Sequence, residues 1–139
     1  MSVRIRDLNV ELVPVSALTA YAGNAHKHSK KQLRQIAESI RVFGWTNPIL
    51  TDASGVVIAG HGRLEGAKLL GIDRVPIIRI GDMTEAQKRA YILADNKVAG
   101  NAGWDRQLLA LELRGLLEME HDFDITVTGF DMGEIDLSV

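Results

Sequence analysis

The chain has 139 residues, 46% of them hydrophobic and 24% charged, which suits one ordinary globular α/β-sized domain. It contains no cysteine, which excludes a disulfide framework, a thiolate nucleophile and a cysteine-built zinc site. The net charge of −2 divides unevenly: residues 1–52 carry seven Lys/Arg against four Asp/Glu, residues 53–102 seven against five, and residues 103–139 two against nine. A positive front and an acidic tail point to an anionic ligand at the front, although solvated faces explain charge alone equally well. No apolar run approaches about 18 residues and the N-terminus lacks an apolar signal core, so no membrane partner and a cytoplasmic location are expected.

In chain order, residues 9–15 (NVELVPV) alternate loosely and suit a short strand ended near Pro14. Residues 18–29 read as an irregular loop rich in Gly, Asn and His. Ser29 with Gln32 forms a capping-box pattern that opens a helix. Its apolar positions Leu33, Ile36, Ala37, Ile40 and Phe43 recur at helical spacing, and Gly44 supplies the stop. The opposite face carries Lys30, Lys31, Arg34 and Arg41. Residues 48–51 and 56–59 read as two strands joined by a turn composed of Asp52, Ala53, Ser54 and Gly55. A short helix is expected over 63–70, closed by Gly71, and VPIIRI at 75–80 reads as a buried strand. Thr84 with Gln87 repeats the capping box, for a helix reaching about Ala99 and ending at Gly100. Asp105 caps a further Leu-rich helix over 106–119, whose wide apolar arc either completes the core or leaves a surface for a dimer or a neighbouring domain. The class is mixed α/β (α+β), a small mixed sheet with flanking helices. Two units are expected, a domain over 1–100 and a helical, acidic extension over 101–139.

The stretch Val57-Ile58-Ala59-Gly60-His61-Gly62-Arg63-Leu64-Glu65 carries the chemistry. A strand enters a tight turn with two glycines and leaves as a helix. Gly60 and Gly62 permit positive φ and let an anion approach the backbone. The first helical N–H groups lack internal acceptors and the macrodipole adds partial positive charge, so a phosphate fits there. Arg63 adds a forked contact to phosphate oxygens, and His61 is the candidate donor or acid/base group. On spacing alone two glycines before a helix read more often as a plain tight turn, and neither GxxxxGK[ST] nor a full GxGxxG occurs.

Several motifs in register resemble the N-terminal domain of ParB-type partition proteins and their relatives, including sulfiredoxin. Asn24-Ala25-His26-Lys27 stands where that family has NPRK, and Glu38-Ser39-Ile40-Arg41-Val42-Phe43-Gly44 resembles its SIxxxG. Asn47-Pro48-Ile49 resembles QPI, and Ala59-Gly60-His61-Gly62-Arg63 through Ala67 resembles AGERRxRAA. Val75-Pro76-Ile77 and Asp95-Asn96 fall on the VPV strand and the ENxxR element. The resemblance implies the ParB/sulfiredoxin fold and a nucleoside triphosphate, CTP or ATP, with Mg²⁺. Gly60, His61, Gly62 and Arg63 would cradle phosphates with His26 and Lys27, and Asp95 and Asn96 would hold the metal. The chain departs from the family at three points: one of the paired arginines is Gly62, the acid after the first glycine is His61, and the arginine ending ENxxR is Ala99. Sulfiredoxin chemistry is excluded because its cysteine would fall on His61.

The text around residues 58–63, 93–97 and 101–105 also resembles ParB-like domains of phage and mobile elements that precede a DNA methyltransferase domain. No DPPY-like methylase motif occurs, so the chain is not itself the methylase, and Thr128-Gly129-Phe130 resembles the point where a following domain begins. The expected function is a nucleotide-binding module acting on or near DNA, a regulatory part of a phage or plasmid partition or DNA-modification system. Expected partners are nucleotide, DNA, a fused or separate methyltransferase domain and a second copy of the chain. Lys30, Lys31 and Arg34 are the candidate DNA-phosphate contacts, and no helix-turn-helix reader is evident. Any hydrolysis would be slow, with His61 the one candidate catalytic group. The alternatives are a serine-type small-molecule kinase, a ParB-like nuclease and a non-catalytic adaptor. A metal site built from His26, His28 and His61 is a minor reading, and Trp45 and Trp104 read as partial core.

Overall fold

The structure, a computed structural model, describes residues 2–23, 27–101, 103 and 105–130, with the backbone alone for 98–101. The expected contacts at His26 and Trp104 lie outside the described residues. Four strands form one sheet in the order β1-β4-β2-β3, with β1 Val10–Pro14, β2 Ile49–Thr51, β3 Val57–Ala59 and β4 Arg74–Arg79. β2 and β3 pair antiparallel, β2 and β4 pair parallel, and β1 pairs antiparallel with β4 in the register Leu12 to Pro76. The helices are α1 Lys30–Phe43, α2 His61–Leu70, α3 Glu85–Asn101 and α4 Arg106–Glu118, with 3₁₀ turns at Val15–Ala17 and Ile125–Thr128. The mixed α/β expectation holds.

Both sheet faces are covered, which explains why residues 75–80 are apolar almost without interruption. Val75 and Ile77 point to one side, where they pack with Val13, Ile49, Val57 and the α2 residues Leu64 and Ala67. Ile78 and Ile80 point to the other side and meet Ile58 and the α3 residue Ile92. A smaller cluster under α4 joins Leu113 to Ile125.

The three caps anticipated from the sequence are present. Ser29 and Gln32 exchange both capping-box bonds, and Thr84 with Gln87 does the same. Asp105 Oδ1 accepts from the Leu108 amide at 3.1 Å. The strands and α4 lie within a residue of expectation at each end, and two helix boundaries differ for a physical reason. α2 starts at His61 rather than Arg63, because Gly60 takes the left-handed conformation (φ 101°) and so serves as the N-cap. α3 continues through Gly100 to Asn101, since glycine weakens a helix without obliging it to end.

Asp52, between β2 and β3, ties this hairpin to α3. Its carboxylate accepts from the Ser54 amide and hydroxyl and from the Val56 amide, each at 2.9 Å, and from Lys88 Nζ at 3.0 Å. Burial is the largest single influence on Asp52 and opposes its charge, but the Val56 amide, the Lys88 ammonium and Ser54 together outweigh it and hold the carboxyl at about 2. A carboxyl depressed in the folded state stabilises above its unfolded pKa of about 4, and that stabilisation is lost as pH falls toward 2. Asp52→Ala should lower unfolding free energy by about 2 kcal/mol in urea denaturation at neutral pH. The wild type should lose part of that difference between about pH 4 and pH 2, and equal acid sensitivity in the two proteins would refute the assignment.

Candidate functional site

The N-terminus of α2 is positioned by its neighbours on both sides. Gly60 packs against Ile49, where an added Cβ would lie 3.2 Å from Ile49 Cγ1. With Gly60 as cap, His61, Gly62 and Arg63 are the first three helical residues, and the Leu64 amide is the first to bond back, to Gly60 O at 3.0 Å. The backbone N–H groups of residues 61–63 therefore have no intrahelical acceptor and form the positive end of the helix.

The glycines do different things. Gly60 supplies the positive φ. Gly62 is fully buried and has helical geometry, and the space beside its Cα is taken by α1: an added Cβ would meet Ile36 Cδ1 at 2.8 Å and His28 Nε2 at 2.9 Å. It needs no positive φ, contrary to expectation, and what its lack of a side chain allows is close helix packing. One turn on, Gly66 repeats this contact with Ile36 and Ile40 at 3.3 and 3.4 Å. Small residues at these positions let α2 lie close against α1 and bring His28 to the turn.

His61 is half-buried, and its Nε2 accepts from the Tyr21 amide at 3.2 Å. That bond occupies the ring lone pair on Nε2 and anchors the loop before α1 to the turn. For His61 to act as a base through that nitrogen, the amide would have to be displaced.

A small cleft of about 150 Å³ opens at the turn, lined by residues 58–63 together with His28, Ile36 and Asn96. A second cleft of about 410 Å³ adjoins it and shares His28, Ile36 and Arg63. Its walls come from α1, through Gln32, Gln35 and Ser39, from Trp45 and Thr46 beyond α1, and from Val127, Thr128 and Gly129 near the C-terminus. Arg63 is half-buried where the two clefts meet.

Of the residues singled out in the sequence, the fold brings Gly60, His61, Gly62, Arg63 and Asn96 together at the small cleft. Asp95 is exposed on α3. Burial, and after it the charge of Asp95, raises the Tyr91 hydroxyl above its ordinary value. Lys27, Lys30, Lys31 and Arg34 are exposed along the start of α1 and do not line either cleft. Trp45 packs partly against the main core, as expected, and its Nε1 donates to Asn47 O at 2.8 Å, but it also walls the larger cleft. Among the described residues no group of three or more His, Cys, Asp or Glu is placed to hold a metal ion by itself. Asn96 offers one hard oxygen at the small cleft. That suits Mg²⁺ carried on a nucleotide, since Mg²⁺ takes few protein ligands and fills its shell with phosphate and water.

Gln35, Ser39, Thr46 and the Val127–Gly129 stretch carry no site expectation from the sequence. Ser39 lies in the SIxxxG-like motif and Thr128-Gly129 in the stretch read as a domain boundary, but no spacing rule links residue 35 to residue 129.

A family profile described as the ParB N-terminal domain matches residues 2–97, and one described as the ParB-methyltransferase HTH domain matches residues 107–138. The second match falls on the segment in which no helix-turn-helix was evident. Its described part holds α4 and the 3₁₀ turn at Ile125–Thr128. The ParB-like nuclease domain-containing protein YnaK of Escherichia coli K12 is 46% identical over 82 residues, which span 59% of this chain and 94% of YnaK. The crystal structure of a C-terminally truncated chromosome-partitioning protein ParB from Caulobacter crescentus, complexed with CTP-γ-S, superposes with a TM-score of 0.76 at 20% identity. It covers 94% of this chain and 76% of that one. Sulfiredoxin from Arabidopsis thaliana superposes with a TM-score of 0.50 at 17% identity, over 60% of this chain and 97% of its own. At these identities the likeness is one of fold.

Replacing Gly62 tests the packing. Gly62→Val should destabilise by about 1–3 kcal/mol through overpacking against Ile36. In Gly62→Ala the gain in helix propensity, up to about 1 kcal/mol, offsets the crowding, so its unfolding midpoint should stay near wild type while the His28 ring resonances shift. Unshifted His28 resonances in Gly62→Ala would contradict the contact.

Proposed function

The chain belongs to the ParB N-terminal domain family, and from that premise we propose that it is a nucleotide-binding module working on or near DNA. The observation that carries the reading is the junction of the two clefts at Arg63 and the first turn of α2. Phosphates would sit at the amides of His61, Gly62 and Arg63, with the Arg63 guanidinium as a forked donor. The base and sugar would extend into the larger cleft beside Trp45 and Thr46, whose volume of about 410 Å³ suits a small ligand. Asn96, with Asp95 on the same helix, would face the magnesium ion, which would neutralise phosphate charge. The CTP-γ-S bound by the Caulobacter protein supports a nucleotide of this kind.

No residue at the turn is arranged as a strong base, since His61 Nε2 is engaged by the Tyr21 amide. The module therefore binds and signals, with hydrolysis slow at most. The family's link to partition and the match to a methyltransferase-associated segment support a regulatory role in a partition or DNA-modification system of a phage or plasmid, with a methyltransferase domain as partner. DNA contact is assigned to α1. Residues 103–139 carry two Lys/Arg against nine Asp/Glu, a balance that repels phosphate, whereas Lys27, Lys30, Lys31 and Arg34 form an exposed basic stretch.

Calorimetric titration of CTP, ATP, GTP and ADP with Mg²⁺ tests the nucleotide reading. One nucleotide should bind, and Arg63→Ala should weaken it by about 10- to 100-fold, the value of a charged hydrogen-bonded pair. Absence of binding to the wild type would end this reading and leave a scaffold or adaptor. Affinity for duplex DNA should fall steeply with salt, and the Lys30→Ala/Lys31→Ala/Arg34→Ala variant should lower the slope of log K against log [salt] by about three. Duplex binding undetectable at low salt, with and without nucleotide, would remove the DNA-linked part.

A further inference from the structure

Residues 2–14 turn charges inward and aliphatic side chains outward, the reverse of an ordinary surface segment. Asp82 Oδ2 accepts from Arg4 at 2.8 Å and Oδ1 from Arg6 at 2.6 Å. With the arginines so held, Val3 is 75% exposed, Ile5 88% and Leu8 54%. β1 continues the pattern. Val13 is buried in the main core, while Val10 and Leu12, on the other face of the sheet, are each 60% exposed. Val10 stands opposite Ile78, which packs with Ile92 of α3, so Val10 and Leu12 extend that apolar face past the cover of the helix. Exposed aliphatic residues crowded into one short stretch mark a surface that something covers.

β1 is also an open edge of the sheet, paired with β4 alone among the described strands. The Val15 amide donates to Asp73 O at 2.8 Å, which continues the β1–β4 register by one residue. Bonded pairs alternate along an antiparallel ladder. The N–H and C=O groups of Val13 and Glu11 therefore face β4, and those of Val10 and Leu12 point away from the sheet. Pro14 fits this phase, since its nitrogen carries no hydrogen and also points outward. Protein edges are commonly blunted by lysine, by a bulge or by a free charge. β1 has no Lys or Arg, its register is unbroken, and its one acid, Glu11, is engaged by Arg79.

The charge around this edge selects its occupant. Residues 2–14 and 73–82, the edge and its neighbouring strand, carry four Arg against four Asp/Glu. The start of α1 is basic and residues 103–139 are acidic, but this surface is balanced and apolar. A strongly charged partner gains nothing from it, whereas a second copy of the same surface meets no repulsion. We propose that two copies of the chain pair through β1, antiparallel about a two-fold axis, joining their four-stranded sheets into one continuous sheet. Because Pro14 ends the pairable edge, Val10 of one copy lies opposite Leu12 of the other, and their N–H and C=O groups satisfy one another. The exposed Val10 and Leu12 side chains then cover each other across the axis. Glu11 meets its counterpart there with its charge already taken up by Arg79. Neither cleft is lined by a residue of β1, so the pairing leaves both open.

Sedimentation velocity of the full chain, from about 1 to 100 μM and without nucleotide, tests the pairing and should show a monomer–dimer equilibrium. Val10→Lys/Leu12→Lys places like charges opposite one another at exposed positions. It should keep the unfolding midpoint of the wild type and weaken dimerisation by about 100-fold or more. Because the chain has no cysteine, Val10→Cys and Leu12→Cys report the register. An oxidised equimolar mixture of the two should form the mixed disulfide in preference to either self-pair. Opposed Cα atoms of a bonded pair lie about 5.5 Å apart, within disulfide reach, and diagonal ones do not. A wild type that sediments as a monomer throughout would overturn the proposal. A dimer that survives the double lysine variant unchanged, or that yields no mixed disulfide, would equally overturn it and place the contact on another face.

Discussion

The close approach of α2 to α1 is the constraint on which the rest of the molecule depends. Gly62 and Gly66 present no side chain to α1, and Ala37 is buried on the facing surface. Ile36 fills the space over both glycines. This contact sets the depth at which the α2 N-terminus sits and brings His28 over the turn. It also separates the small cleft at the turn from the larger one along α1. A bulkier residue at position 62 would push α1 away and remove the shared wall of both clefts. The glycine turn is thus first a helix-packing device, and the small cleft is what this packing leaves open at the helix end.

Two polar anchors brace the same region from outside the core. Asp52 gathers three local donors and the Lys88 ammonium, which locks the β2–β3 hairpin to α3 and so sets the angle at which the chain enters the turn. His61 receives the Tyr21 amide and ties down the loop before α1. Neither anchor lies in the main apolar core, so each can be altered with modest loss of stability and a direct effect on site geometry. His61 replaces the acid that the family carries after its first glycine. In this chain the side chain at that position accepts from backbone, through Nε2.

The division of charge along the chain has a structural counterpart. The basic residues at the start of α1 stay exposed and line neither cleft, while the acidic C-terminal segment meets α1 through the Gln35–Gly129 bond and the Phe43–Phe123 pair. The charged surface and the ligand clefts are therefore separate, and α1 is the element common to both. Lys30, Lys31 and Arg34 are exposed on it, Ile36 packs over the glycines of α2, and Gln35 lines the larger cleft. A shift of α1 against α2 would reach both surfaces at once.

Much of this architecture could be read from the residues. The capping boxes at Ser29 and Thr84, the Asp105 cap, and the apolar runs at 56–59 and 75–80 located most elements, because caps, periodicity and turn chemistry act over three or four residues. The strand–turn–helix at residues 57–65 was legible for the same reason. The start of α2 was missed by two residues, since either glycine could have been the cap and only packing against Ile49 and Ile36 assigned their roles. The pairing of β1 with β4, the meeting of Asn96 with the turn, and the cleft wall formed by Gln35 and Gly129 depended wholly on tertiary structure. Local sequence determined which segments form and where the glycine turn opens a helix. Long-range packing decided what surrounds that turn, because contacts between residues nearly a hundred positions apart leave no periodic trace in the chain.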